Sequence, residues 1–176
     1  MKLMATDLIN CEVLSLRLGG PIGTVNKILL DETNLKISLF IVAVSGEKKP
    51  GYLMPNDVRL SEQKTIIVDS EEKIADKEDM IRARTTIERD LIILGLPVVT
   101  IEGKKLGKVD NYIIDNTGYL VSKLYVHTSL LQNIMQSNLI IDRSDIVDVK
   151  PNKIIVREAT ANAKLRMTNV LPVENS

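Results

Sequence analysis

Along much of this chain, apolar and polar positions alternate with the period of two expected of half-buried strands. Leu14, Leu16 and Leu18 alternate with Ser15 and Arg17. Residues 22–30, with Val25 and Ile28 apolar, read as the next strand, and residues 36–45 are a longer run of β-branched and apolar side chains. Shorter apolar runs follow at 52–54, 58–60 and 65–68. Turn-forming sequences separate them: Gly19-Gly20-Pro21, Asp31-Glu32-Thr33-Asn34, the 46–51 loop and Pro55-Asn56-Asp57. Gly and Pro punctuate such turns, and Asp and Asn bond their own backbone there and tolerate left-handed conformations. Many short strands joined by turns predict a small barrel or sandwich.

The same order returns further along. Residues 19–31 and 103–115 share the pattern Gly-x-x-apolar-Gly-x-Val-x-x-x-apolar-apolar-Asp. On this alignment Val98 falls opposite Leu14, the Asp115 turn opposite the Asp31 turn, and Asp142 to Ile146 opposite Met54 to Val58. Gly118 is expected to supply the positive φ of the second Asp turn. The offset is 84 residues before the long strand ends and 88 after it, so the second unit carries four extra residues there. Gly23 and Gly107 fall inside strands, where glycine marks a bulge or a close backbone approach. An internal repeat limits the architecture before any single residue is read.

Between the copies, Met80, Ala83, Ile87 and Leu91 recur at helical spacing. Asp76 and Asp79 suit a helix start, and Arg82, Arg84 and Arg89 suit its end. The predicted organisation is a first unit over 1–70, a helical linker over 71–93, a second unit over 94–158 and a tail over 159–176. The fold class is mainly β: two small barrels, joined by an α-helical linker and packed as a pseudo-twofold pair. A barrel of this size has a marginal core alone, and packing two together buries more.

Taken in order, the Gly-x-x-Ile/Leu-Gly-x-Val turn, the apolar strand ending in Asp, the second apolar strand, the Asp-Ile/Val pair and the Ile-Ile-Val strand resemble the PRC-barrel family. That small barrel occurs in the photosynthetic reaction-centre H subunit and in a ribosomal RNA processing factor. The resemblance covers both repeats. It implies a partly open barrel of about five or six strands per unit, a docking role and no catalytic residues.

Composition narrows the function classes. Lys plus Arg and Asp plus Glu number 23 each, so the net charge is zero, which counts against a nucleic-acid partner. Aromatics are 3% of residues, with Phe40 the single phenylalanine and no tryptophan, too few for a base-stacking platform. Cys11 is the only cysteine, so no intrachain disulfide forms, as expected of a reducing compartment. Asp7, Asn10 and Glu12 interrupt any signal-peptide core, and the longest apolar run, residues 91–99, contains Gly95 and Pro97. A cytoplasmic protein without a transmembrane segment is expected.

Candidate chemistry is sparse. His127, the only histidine, has no metal-ligand neighbours in sequence and is expected in a loop at a strand end. Cys11 is expected to be a small buried apolar residue rather than a nucleophile. Asp31 with Asp115 and Asp57 with Asp145 read as turn residues that cap backbone N–H groups, not as paired catalytic carboxylates. Lys48, Lys49, Lys104, Lys105 and Lys108 read as a solvated face balanced by nearby acids. No catalytic, cofactor or metal site is assigned. The insertion offers the one candidate binding surface. Ser129 and Gln132 fit a capping box, and Leu130, Leu131, Ile134 and Met135 fall on one helical face, suited to docking a partner, to pairing with a second copy or to plugging its own barrel. The function expected is a non-enzymatic adaptor that binds another protein and possesses no cofactor. The alternative is an RNA-metabolism or ribosome-assembly factor.

Overall fold

The computed structural model describes residues 2–62, 64–128 and 137–157. The candidate docking residues Leu130, Leu131, Ile134 and Met135 lie outside them, as do the capping box and the tail. In chain order the strands are β1 (Lys2–Met4), β2 (Glu12–Ser15), β3 (Gly20–Leu30), β4 (Ile37–Val44), β5 (Pro50–Leu53), β6 (Val58–Glu62), β7 (Thr65–Val68) and β8 (Ile74–Ala75). The second copy adds β9 (Pro97–Thr100), β10 (Lys105–Asp115), β11 (Leu120–Thr128), β12 (Ser137–Asp142), β13 (Ile146–Lys150) and β14 (Lys153–Val156). One sheet runs β6-β7-β2-β3-β4-β5-β8 and the other β12-β11-β10-β9-β14-β13, with β1 on β10. In both, the pair that joins the opening strand to the closing strand (β2 with β7, β9 with β14) is parallel. Among the described residues, no helix is long and apolar enough to cross a membrane.

The register corrects the alignment read from sequence. Val13 pairs with Gly23 and Ile66, and Val98 pairs with Gly107 and Ile154, so Val98 replaces Val13 rather than Leu14. The glycine turn of the second copy is therefore one residue shorter. Each turn is organised by a buried hydroxyl: Ser15 Oγ accepts the Leu18 N–H at 3.2 Å, and Thr100 Oγ1 accepts the Lys104 N–H at 3.1 Å. The glycines behave as expected. A Cβ on Gly23 would stand 2.5 Å from the Ala43 carbonyl oxygen, and one on Gly107 2.1 Å from that of His127. Only a missing side chain lets these strands approach so closely.

The linker is not one α-helix. It contains 3-10 turns at Glu71–Lys73, Lys77–Asp79 and Ile81–Ala83, the strand β8 and a short α-helix (Arg84–Arg89), and Asp76 makes no side-chain cap. The reason is tertiary. Ile74 and Ala75 pair with Leu53 and Tyr52, which demands extended backbone just where a helix would start. The expected apolar face still packs: Met80 is buried with Leu29, Leu39, Ile41 and Tyr52, and Ala83 and Ile87 lie against them.

The leading segment of each repeat lies on the other repeat. β1 pairs with β10 through Leu3 and Ile114, although residues 2–4 open the first unit. Reciprocally, Leu30, the counterpart of Ile114, donates its N–H to the Leu91 carbonyl at 3.3 Å. After each segment the chain hooks through a left-handed residue, Asn10 (φ 68°) or Gly95 (φ 80°). Their N–H groups donate to the equivalent carbonyls of Val25 and Val109. One apolar cluster consequently runs through both copies, from Leu3, Leu8 and Phe40 to Tyr112, Leu124 and Val156. Burial of that surface, at roughly 25 cal/mol per Å2, is what neither copy achieves alone.

Candidate binding cleft at the seam between the repeats

The copies meet where β4 and β11 begin. Ile37 donates its N–H to the Tyr119 carbonyl at 2.8 Å, and Val121 donates to the Leu35 carbonyl at 3.0 Å. Lys36 pairs with Leu120, its own repeat counterpart. Such reciprocal bonding of equivalent residues is the pattern a local twofold axis generates. Leu35 (φ 54°) and Tyr119 (φ 52°) both adopt the left-handed conformation that this crossing needs. Gly118, expected to supply it, is not a positive-φ residue; the strain falls one residue later because Tyr119 makes the crossing bond.

Either side of the axis is a seam, and the two seams differ. On one side, buried Ser61 donates from Oγ to Asn116 Oδ1 at 2.5 Å, while Asn116 Nδ2 donates to the Ser61 carbonyl at 3.0 Å. The Tyr119 hydroxyl, 3.2 Å from Ser61 Oγ, completes the network. Burial raises the Tyr119 phenol above its ordinary range, and the Ser61 bond partly offsets this. Tyr119 also sets its ring edge-on to Phe40, centroids 5.8 Å apart. This seam is closed.

On the other side the register puts Glu32 where the first seam has Asn116, Leu35 where it has Tyr119, and Val149 where it has Ser61. None of these can rebuild the network. The Glu32 carboxylate turns to Arg89, and Val149 and Leu35 present buried apolar side chains. An open cleft of about 770 Å3 lies between the Glu32–Leu35 turn and the 143–151 segment. Arg143 lines it, donating from Nη2 to the Asn34 carbonyl at 2.6 Å, while its buried Nε has no hydrogen-bond partner. Lys150 lies at the far end, only loosely paired with Asp148 at 3.7 Å. Val147, 52% exposed, projects from the same strand.

The residues singled out from sequence are dispersed. Cys11 is buried, and burial pushes its thiol up to about 11, against any nucleophilic role. His127 is not in a loop; it lies within β11, opposite Lys108 and Asn138, because the strand runs on past it. Asp31 and Asp115 are turn residues as expected, accepting the N–H of Thr33 and Thr117 at 2.8 and 2.9 Å. Bonds to Thr33 and Thr117 hold these carboxyls below their ordinary range. Asp57 departs from the expectation: its carboxylate takes the Lys73 ammonium at 2.9 Å rather than a backbone N–H. Lys104, Lys105 and Lys108 are exposed, and among the described residues no acid pairs with them. Sequence reading missed Arg143 and the two seams. The available signal was a mismatch between copies: Arg143 stands opposite Pro55, and Glu32 opposite Asn116.

Compared with known families, the chain matches the PRC-barrel domain twice, over residues 2–86 and 92–162. No curated protein matches it.

Proposed function

Because this chain belongs to the PRC-barrel family and carries the domain twice, we propose that it is a non-enzymatic interaction module, an adaptor that docks another protein. The observation that carries this reading is the asymmetry of the seams. Two copies of one fold share a closed core, yet one junction is left open as a cleft bordered by a sheet edge and a cation. The insertion with Leu130, Leu131, Ile134 and Met135, which lies outside the described residues, is the second docking candidate of this reading. The single, buried Cys11 accords with a reducing, cytoplasmic location.

The test is affinity capture from native lysate with the full-length chain, with and without ribonuclease, followed by reconstitution from purified components. A protein that resists ribonuclease and binds the purified chain directly supports the adaptor. Lys104, Lys105 and Lys108, exposed and without an acidic partner among the described residues, favour a second reading, RNA binding in ribosome assembly. Recovery abolished by ribonuclease, with direct RNA affinity falling steeply with salt, establishes that reading instead. Leu131→Ser with Met135→Ser tests the insertion separately.

A further inference from the structure

We infer that the open seam takes an extended, carboxylate-bearing segment of a partner protein, added as a strand to the free edge of β13 with its carboxylate on Arg143. This rests on the adaptor reading and names what the adaptor would recognise.

Among the described residues β13 ends its sheet, paired on one side by β14 and by no strand on the other. A free edge offers unpaired N–H and C=O groups, the usual platform for strand addition. Its counterpart β6 has the same position in its own sheet, but there Asn116 bonds the Ser61 backbone and occupies the edge. Among the described residues no side chain bonds the backbone of β13 in this way. The cleft follows that edge from Ile146 to Lys150, and Leu35 and Val149 give it an apolar wall. An incoming strand, alternating by two, can turn apolar side chains to that wall while its backbone pairs with β13.

Charge selects the sign of the ligand. Glu32 is neutralised by Arg89, and Asp148 has Lys150 beside it. Arg143 is the cation in the cleft with no carboxylate partner among the described residues, and its Nε is an unused buried donor. A carboxylate accepts charge-assisted bonds from a guanidinium and removes the cost of the orphaned donor. An ammonium would gain nothing there.

Random octapeptides displayed on phage are selected against the full-length chain, and the selected peptides are synthesised with their acidic residue intact or as the amide. Enrichment of β-branched residues around Asp or Glu is expected, with amide shifts at 32–35 and 146–150. Amidation of the peptide and Arg143→Gln should each weaken binding about tenfold or more. As a second variant that keeps the fold testable, Glu32→Asn with Val149→Ser copies the Asn–Ser pair of the closed seam onto the open one, occupies the β13 edge and should abolish binding. Peptides that bind equally without their carboxylate, or that shift residues elsewhere, overturn the inference while leaving the adaptor reading to the capture experiment. So does the selection of no peptide. Shifts at β13 that depend on protein concentration alone also overturn it, by showing that a second copy takes the edge.

Discussion

The two seams of this molecule have the same backbone and different chemistry. At one, the amide of Asn116, the hydroxyl of Ser61 and the phenol of Tyr119 satisfy one another and a strand-edge carbonyl. At the other, Glu32, Val149 and Leu35 occupy the equivalent positions and the copies stand apart around Arg143. Duplication supplies a symmetric framework whose stability depends on shared features. It leaves unshared positions free to diverge, because a change at one seam does not disturb the other.

The comparison breaks first at the glycines common to both copies. Gly107→Ala drives a Cβ into the His127 carbonyl at a backbone φ of 151°, and should cost about 3 kcal/mol or more. Gly23→Ala meets the Ala43 carbonyl at a longer 2.5 Å without that φ, and should cost about 2 kcal/mol. Denaturant unfolding checks both values. Equal costs would mean that the two glycine strands carry the same strain.

Next come the seams. Asn116→Leu leaves the Ser61 hydroxyl and the Ser61 carbonyl without their partner and should cost about 1–2 kcal/mol. Glu32→Leu removes only a partly exposed ion pair with Arg89 and should stay within about 0.5 kcal/mol of wild type. Thermal melts of the two variants side by side measure the asymmetry directly.

The smallest effect separates the glycine turns by pH. In the first copy Arg17 binds Glu71 and Glu72; in the second, Glu102 stands at the position of Arg17. The Arg17 bond holds the Glu71 carboxyl near about 2, below its ordinary 4.5. A carboxyl depressed on folding adds stability that is complete above its unfolded value and is lost as pH falls toward the folded one. Between pH 5 and pH 2 the wild type should therefore lose more stability than Arg17→Gln. Arg17 is solvent-exposed and Glu71 partly so, and the difference is therefore slight and best read from melting temperatures at low salt.

Features set by neighbouring residues were legible in the sequence. The repeat, the Asp31 and Asp115 turns, the glycines at Gly23 and Gly107 and the burial of Cys11 all follow from period, turn chemistry or residue size. The linker was misread because Met80, Ala83 and Ile87 do form one apolar face, yet the pairing of Ile74 and Ala75 with β5 takes precedence over helix propensity. The N-terminal strand escaped notice because its partner, Ile114, belongs to the other copy. Positive φ was assigned to Gly118 by propensity, whereas the bond across the axis places it at Tyr119.

The sequence by itself determined what was built: two copies of a short-stranded β unit, their turns, and a core of Ile, Leu and Val. Alternation and turn preference act over a few residues and need no distant partner. Only the tertiary structure decided how the copies interlock and which seam stays open. Those outcomes depend on pairs far apart in the chain, such as Ser61 with Asn116 and Arg143 with Asn34, separated by 55 and 109 positions. Their meeting is set by the packing of two sheets around a shared axis, which no local pattern encodes.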